Sequence, residues 1–192
     1  MTARIGVLVS GSGTNLQALL DAIAADDDFG ARVVVVGSDN PSAGGLERAR
    51  ARGIPTFATA IGDHVDRPTW EAALTDLMRA HAPDVVVMAG FMKIVTATFL
   101  APWPDRVVNV HPSLLPAFRG AHAVEDALAA GVDTTGCTVH LVDELVDHGP
   151  ILVQEAVPIE PGDDRDSLHA RIQAVEHRLL PAAVKQLCAQ SS

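Results

Sequence analysis

Cysteine, aromatic and basic residues are all scarce in this chain of 192 residues. It has two cysteines, no tyrosine and 4% aromatic residues, and 14 Lys+Arg stand against 24 Asp+Glu, so the net charge is −10. Cys137 and Cys188 lie far apart and in no CxxC spacing, which leaves neither a disulfide framework nor a zinc ribbon. An acidic chain without a Lys/Arg-rich tract repels nucleic-acid phosphates, so we expect no nucleic-acid partner.

Long apolar runs are also absent. Hydrophobic residues make up 48% of the chain, but they occur in short segments such as 33–36 and 85–89, well below the ~20 residues that a membrane-spanning helix needs. The apolar stretch near the start is too short for the core of a signal peptide. We therefore expect a cytoplasmic protein without a membrane partner, long enough to bury a full core without disulfides.

Short apolar segments alternate with helix-like stretches in the first half of the chain. The run 5–9 ends in a Ser/Gly turn, and apolar residues from Leu16 to Ile23 then recur at the spacing of one helix face. Further strands are predicted at 33–37, near Phe57 and at 85–89, with amphipathic helices between them. Apolar strands that alternate with helices predict a parallel sheet covered on both faces.

The pattern changes after Pro104. Strands are predicted at 107–110, at 138–142 and at 151–157, and the last two flank an acidic loop, 143–150, as in a β-hairpin. A long amphipathic helix that includes Leu168 ends the chain. We therefore predict an α/β fold with a single doubly wound, mostly parallel, Rossmann-like sheet and a mixed C-terminal half.

A glycine-rich turn, Ser10-Gly11-Ser12-Gly13-Thr14-Asn15, joins the first strand to the first helix. Small residues allow backbone N–H groups to converge at a helix N-terminus, where they favour a phosphate group. Leu16 replaces the third glycine of a dinucleotide fingerprint, and the Gly-Lys ending of a P-loop is missing. We therefore expect a terminal phosphate monoester here. A purely structural turn, with Thr14 or Asn15 capping the helix, is the alternative.

Two polar residues, Asn109 and His111, alternate with Val108 and Val110 at the end of a predicted strand. Alternation places both polar side chains on one face. An amide N–H and an imidazolium aimed at one oxygen can stabilise the oxyanion of acyl transfer, whereas the alternative is a structural histidine. An acidic loop residue, Asp147, would orient such a histidine if it came near.

Other polar groups suit different chemistry. Glu176 falls near the apolar stripe of the last helix, where it either binds a ligand amine or lies at the edge of the stripe with its carboxylate in water. The histidines around His111 and His140 lack the spacing of an HExxH site, so we expect no metal. No G-x-S-x-G motif surrounds Ser113, which disfavours a serine hydrolase.

Five segments in order, SGSGTN, AGFMKI, NVHPSLLPAFRGAHA, GCTVH and VDHGPI, closely resemble the glycinamide ribonucleotide formyltransferase family, which belongs to the folate-dependent formyltransferases. The resemblance extends from about residue 4 to about residue 185. It implies an enzyme that transfers a formyl group from 10-formyltetrahydrofolate to the amine of glycinamide ribonucleotide in de novo purine biosynthesis. It also implies a Rossmann-like formyltransferase fold.

The resemblance assigns residues to three roles. The catalytic residues that it implies are Asn109, His111 and Asp147. For the ribonucleotide it implies a phosphate turn with a nearby arginine and a carboxylate for the amine end, which are Gly13, Thr14, Asn15, Arg67 and Glu176. For the folate it implies two segments, Phe91, Met92, Lys93, Ile94, Val95 and Val142, Asp143, Glu144, Leu145, Val146. Lys93 stands where many relatives have arginine, so its contact with a folate carboxylate loses the bidentate geometry.

The resemblance further implies a single domain, 1–192, with a phosphate-binding half of about 1–100 and a folate-binding and catalytic half of 101–192. The partners are then small molecules, and a homodimer is left open. Three alternatives stay open: formylation of a sugar-nucleotide amine, hydrolysis of formyltetrahydrofolate, and, from a different class, a nucleotide-binding Rossmann module that uses Gly11, Gly13 and Asp39.

Overall fold

A seven-stranded sheet runs through the computed structural model, which describes residues 2–190. The strands are β1 (Ala3–Val9), β2 (Ala31–Ser38), β3 (Thr56–Ala58), β4 (Val85–Met88), β5 (Val107–His111), β6 (Thr134–Leu141) and β7 (Ile151–Pro158). The helices are α1 (Thr14–Ala25), α2 (Gly44–Ala51), α3 (Arg67–Arg79), α4 (Ala97–Leu100), α5 (Ala123–Ala130) and α6 (Arg165–Ala189). Among residues 2–190, none of these helices combines the length and apolar composition that crossing a membrane requires.

The strand order is β3-β2-β1-β4-β5-β6-β7. The five strands from β3 to β5 pair in parallel, whereas β6 pairs antiparallel with both β5 and β7. The prediction of a doubly wound, mostly parallel sheet with a mixed C-terminal half is therefore confirmed. The chain order reverses between β1 and β4, and ligands of such folds bind at the carboxyl ends of the strands beside this reversal.

Both faces of the sheet are covered, as the continuous apolar strands predict. Val7 and Val9 of β1 belong to a core shared with α1 and α6, while Leu8 points to the opposite face and packs in a cluster with Trp70 of α3. All of these side chains are fully buried. The rigid central strands therefore hold the loops at their carboxyl ends in fixed positions.

Strand β6 begins four residues before the predicted segment 138–142. It starts at Thr134 and includes Gly136, although glycine usually weakens the interior of a strand. A Cβ at Gly136 would stand 2.5 Å from the Leu114 side chain and 2.3 Å from the carbonyl oxygen of Glu155. The glycine therefore allows close packing inside the strand.

Candidate active site

Loops that follow β1, β4 and β5 meet along one edge of the sheet and form two adjoining clefts. The first cleft, about 280 Å³, is lined by the glycine turn 10–15 and by residues of α6. The second cleft, about 330 Å³, is lined by the loop after β4, by the end of β5 and by the loop 142–147. The two clefts share Gly90, Met92, Val110 and Pro112. Two different molecules can therefore bind side by side.

The structure brings Asn109, His111 and Asp147 together on the wall of the second cleft. The Asp147 carboxylate lies with Oδ2 3.3 Å from Nδ1 of His111, and its Oδ1 accepts a hydrogen bond of 3.4 Å from Nδ2 of Asn109. Asp147 adopts a left-handed backbone conformation, φ 48°, which aspartate tolerates better than most residues. Strand β5 supplies two members of the trio, and the β6–β7 loop supplies the third.

Each ring nitrogen of His111 faces an acceptor. While Nδ1 faces Asp147, Nε2 lies 2.8 Å from the carbonyl oxygen of Phe118. Both neighbours are acceptors, and an imidazolium, which carries an N–H on each ring nitrogen, matches them both. His111 is buried, and a substrate oxygen that accepts from Nε2 would take the place of the Phe118 carbonyl.

The Asp147 carboxyl is held in its ionised form. Burial alone would raise its pKa, but the interaction with His140, the charge of His111 and the Gly120 N–H together outweigh burial and keep the pKa below its ordinary value. The Gly120 N–H donates to Oδ2 over 2.9 Å. A carboxylate that stays negative at neutral pH can keep the adjacent imidazole charged and oriented.

His140 is a member of this cluster that the sequence motifs suggest only as a metal ligand. Its ring is buried, with Nε2 3.3 Å from Nδ2 of Asn109 and 3.6 Å from Oδ1 of Asp147. No local pattern identifies it, because its place depends on the antiparallel pairing of β6 with β5, which puts His140 directly opposite Asn109. Within residues 2–190, no group of three or more His, Cys, Asp or Glu side chains is arranged to hold a metal ion.

The residues that the family resemblance assigns to folate lie around the second cleft, with one exception. All of 91–95 line it, as do Val142, Asp143, Leu145 and Val146, whereas Glu144 is exposed and does not line it. Met92, Ile94 and Leu145 are 72%, 56% and 61% exposed. A rim of exposed apolar side chains around a cleft is typical of a site that a flat, partly apolar ligand covers.

Helix α3 holds the loop 91–96 from behind. The buried Glu71 carboxylate accepts hydrogen bonds from the Thr96 backbone N–H, at 2.5 Å, and from the Thr96 hydroxyl, at 2.6 Å. Arg67 donates to the carbonyl oxygen of Ile94 and lies over the ring of Trp70, 5.7 Å from its centre. The structure therefore places Arg67 beside the second cleft, and Arg67 does not line the first cleft near the glycine turn as the family resemblance implies.

Asp39 links the two clefts from the end of β2. Its Oδ1 accepts a hydrogen bond of 2.5 Å from the Ser10 hydroxyl, and its Oδ2 lies 3.3 Å from Nζ of Lys93. The Ser10 hydroxyl in turn accepts from the Met92 N–H over 2.8 Å. Both carboxylate oxygens of Asp39 thus have a partner within the chain.

The glycine turn leaves the start of α1 uncapped. Gly13 is the N-cap residue, and among residues 2–190 no side chain caps the first turn of the helix, so neither Thr14 nor Asn15 does so. Gly13 has a φ of 73°, and a Cβ there would stand 2.4 Å from Cα of Gly45. Gly13 is therefore required for packing against α2, while Thr14 and Asn15 beside it line the first cleft.

Asn15 and Glu176 form a buried pair in the first cleft. Nδ2 of Asn15 donates to Oε2 of Glu176 over 2.8 Å, and both side chains are buried. The Oδ1 atom of Asn15 is buried and has no hydrogen-bond partner in the described part of the chain, 2–190. One helical turn away, Nε2 of Gln173 donates to Oγ1 of Thr14 over 3.0 Å. The cleft therefore ends in acceptors suited to a ligand that donates hydrogen bonds, such as an amine or a hydroxyl group.

Each half of the chain contributes to each cleft. The loop 91–95, which belongs to the predicted phosphate-binding half 1–100, lines the second cleft, whereas Glu176 from the half 101–192 lines the first. The two predicted halves therefore do not coincide with the two clefts. The loops that follow the parallel strands lie along one edge of the sheet, which explains why both halves meet at the same site.

The fold and the two adjoining clefts define the class of this protein. A family model described as formyl transferase matches residues 3–184, and the chain belongs to this family. It is 50% identical over 185 residues to a phosphoribosylglycinamide formyltransferase of Mycobacterium tuberculosis, covering 96% of this chain and 85% of that protein. The crystal structure of glycinamide ribonucleotide transformylase 1 from Symbiobacterium toebii has a TM-score of 0.95 and 45% identity, covering 98% of this chain and 89% of that one.

A larger protein contains the same unit. The trifunctional purine biosynthetic protein adenosine-3 of Drosophila melanogaster is 46% identical over 185 residues, which cover 96% of this chain and 14% of that protein. These comparisons confirm the family that the sequence motifs indicate. They leave the role of each individual residue to be argued from the geometry of the site.

Proposed function

We propose that this chain transfers the formyl group of 10-formyltetrahydrofolate to the primary amine of glycinamide ribonucleotide in purine biosynthesis. The observation that carries the proposal is the position of the trio Asn109, His111 and Asp147. The trio lines the second cleft next to Val110 and Pro112, which line both clefts. A transfer between two bound molecules needs its catalytic groups at such a boundary. Relatives named for this reaction at 50% identity support the substrate pair.

The trio supplies the polar groups that formyl transfer requires. The amine nitrogen attacks the formyl carbon, and the carbonyl oxygen becomes an oxyanion that Asn109 and the His111 imidazolium stabilise. Asp147 holds the imidazolium and assists removal of the proton from the attacking nitrogen. The bond from the formyl carbon to the folate nitrogen then breaks, and that nitrogen leaves with a proton as a secondary amine. No net proton is lost or gained when a neutral amine is formylated.

Each substrate matches one cleft. The phosphate of the ribonucleotide binds the backbone of Gly13, Thr14 and Asn15 at the start of α1, and Glu176, which lies beside this turn, accepts a hydrogen bond from a hydroxyl group of the same molecule. The reduced folate binds the loop 91–95 and the loop 142–146. Lys93 faces the folate carboxylates with its charge partly neutralised by Asp39. Both substrates are water-soluble, and we propose that the reaction takes place in the cytoplasm.

Purified protein tests this function directly. Loss of the formyl group from 10-formyltetrahydrofolate is followed in three parallel reactions, with glycinamide ribonucleotide, with a sugar-nucleotide amine and with no amine. We expect turnover only with the ribonucleotide. Equal turnover without an amine would identify a hydrolase instead, and preference for the sugar nucleotide would replace the proposed substrate. Fluorescence titration with NADH tests the nucleotide-binding alternative, and NADH binding would favour that alternative over the proposed function.

A further inference from the structure

We infer that His169 supplies the positive charge that the first cleft offers to the substrate phosphate. This inference rests on the proposed function, because it names a residue that recognises the phosphomonoester end of the proposed substrate. His169 lines the first cleft from α6. Neither the sequence motifs nor the family resemblance assigns it a role.

The first cleft has a deficit of positive charge. Among the described residues, 2–190, those that line this cleft include no lysine and no arginine, and they include the Glu176 carboxylate. A phosphate monoester carries a charge of about −1.5 to −2 at pH 7. Helix α1 offers only its partial N-terminal charge, roughly half a unit. His169 is the one side chain among the described residues lining this cleft that can carry a positive charge.

The geometry of α6 places His169 beside the glycine turn. His169, Gln173 and Glu176 are spaced by four and three residues, so they share one face of the helix. Gln173 contacts Thr14 at 3.0 Å, and Glu176 contacts Asn15 at 2.8 Å. Residues nearer the N-terminus of α6 therefore contact earlier residues of the glycine turn. His169 lies one further helical turn, about 5.4 Å, toward that N-terminus, which brings it to the start of the glycine turn.

The His169 ring is available for a ligand. It is half-buried, and within residues 2–190 it makes no hydrogen bond or ion pair. The surrounding charges are already engaged. On α6, Glu176 accepts from Asn15, and Arg165 pairs with Asp166 and with Glu125 of α5.

The charges on the other elements packed around the turn are engaged as well. Arg48 of α2 lies behind the turn, where its Nε donates to the Ser12 carbonyl oxygen over 2.8 Å. At the end of β2, Asp39 binds Ser10 and Lys93. Arg48 therefore fixes the turn from its far side, and His169 remains as the cationic group on the side of the ligand.

Replacement of His169 by asparagine tests the inference. At about pH 6.5 we expect His169→Asn to raise KM for glycinamide ribonucleotide roughly tenfold, the lower end for a hydrogen bond to a charged group. The ratio of variant to parent should fall toward one by about pH 9, because histidine is then neutral. The value of kcat and the KM for folate should not change. Comparing the two proteins at each pH cancels the titration of the substrate's own phosphate and amine.

Two further variants separate charge from shape. His169→Lys keeps a positive charge throughout this pH range, so its KM should stay close to the parental value at about pH 6.5 and fall below it at about pH 9. His81→Asn is the matched control, because His81 follows the end of α3 and lines neither cleft. This control should leave every constant unchanged.

A substrate without the phosphate shows whether the contact is direct. With glycinamide riboside, His169→Asn and the parent should have equal KM values. Calorimetry with ribose 5-phosphate measures the same contact without turnover, and we expect roughly tenfold weaker binding by the variant. An effect within about twofold at about pH 6.5, or an equal loss with the riboside, would overturn the inference. If the parent failed to formylate the ribonucleotide, the proposed function would fail, and the ribose 5-phosphate titration would still decide the role of His169.

Discussion

Replacement of Asp147 by asparagine should abolish most of the catalytic rate while leaving both substrates bound. Asp147 receives the Gly120 N–H at 2.9 Å and lies 3.3 Å from Nδ1 of His111 and 3.4 Å from Nδ2 of Asn109. Asparagine keeps the shape of the side chain but exchanges one acceptor oxygen for a donor. The new amide then faces groups that already donate, and the negative charge opposite His111 disappears.

The magnitude follows from the distance between the two charges. Unit charges 3.3 Å apart interact with on the order of 5 kcal/mol at an effective dielectric constant of about 20. The Asp147 side chain is 11% exposed, so solvent screens this interaction only partly. A loss of about 4 kcal/mol from the transition state corresponds to roughly a thousandfold lower kcat. We therefore expect kcat to fall by about that factor.

Steady-state kinetics and separate binding titrations measure the effect. The dissociation constants of both substrates should stay within about threefold of the parental values, because the lost interaction acts on the transition state. Asp76→Asn is the control, since it removes an exposed carboxylate that lies 3.7 Å from Arg79 on α3. An Asp147→Asn protein that kept more than about a third of the parental kcat would refute this role for Asp147.

The lowered pKa of Asp147 also predicts the shape of the acid limb. A carboxyl whose pKa lies below its ordinary value is ionised above that value and loses its charge only when the pH falls through the lowered pKa. Activity lost between pH 5 and pH 7 must then come from another group, such as the substrate amine. The Asp147→Asn variant should therefore show the same acid limb as the parent at its lower rate.

Three further predictions concern the surroundings of the site. Glu71→Gln should raise KM for folate roughly tenfold, because it loses the charged hydrogen bonds to Thr96, and it should leave KM for the ribonucleotide unchanged. Glu71→Asp should partly restore the KM for folate. Equal effects on both substrates would contradict a role of Glu71 confined to the loop 91–96. Lys93→Met should weaken the binding of a folate analogue by only about 1 kcal/mol at low salt, because Asp39 already neutralises the lysine. Lys93→Arg should bind the analogue at least as tightly as the parent, and unchanged binding by the Met variant would show that Lys93 does not contact the folate. Burial raises the pKa of the Cys188 thiol to about 11, so neither buried cysteine should react with a thiol reagent at about pH 8 before the protein unfolds. The stability contributed by the protonated Cys188 thiol should decline as the pH rises from about 8.5 toward its raised pKa. Rapid labelling of the native protein would contradict this prediction.

The fold was predictable because it depends on short-range patterns. Apolar residues that recur with a period of two or of about four residues indicate strands and helices directly. Parallel strands that are buried on both faces appear in the sequence as runs of valine. The position of Asn109 and His111 on one face of β5 follows from the same alternation. The early start of β6 was not predictable. The glycine inside this part of the strand, Gly136, leaves space for the side chain of Leu114, which comes from a distant segment of the chain.

Several site contacts depend on tertiary neighbours that no local pattern reveals. The sequence indicates Gly13 as a residue that lets an anion approach, and the structure adds that its missing Cβ makes room for Gly45. A Gly13→Val substitution would therefore disturb the packing of α2 as well as the phosphate turn. The resemblance places Lys93 against the folate alone, yet it pairs with Asp39 from the other side of the sheet reversal.

The direction of β6 explains how the second half of the chain completes the site. Because β6 runs antiparallel to β5, His140 lies opposite Asn109 and Thr138 lies opposite His111. The Thr138 hydroxyl, which is fully buried, donates to the Ser113 carbonyl oxygen over 2.7 Å and accepts from the Leu115 N–H over 3.2 Å.

These hydrogen bonds fix the segment that follows His111. The end of β5 is therefore held by a side chain of β6 as well as by backbone hydrogen bonds to its neighbouring strands. The same antiparallel hairpin returns the chain through the loop 142–150, which carries Asp147 back to His111. Strand β6 ends at Leu141, opposite Val108, so the loop 142–150 starts near the beginning of β5 and brings the Asp147 carboxylate back to the histidine at the end of that strand.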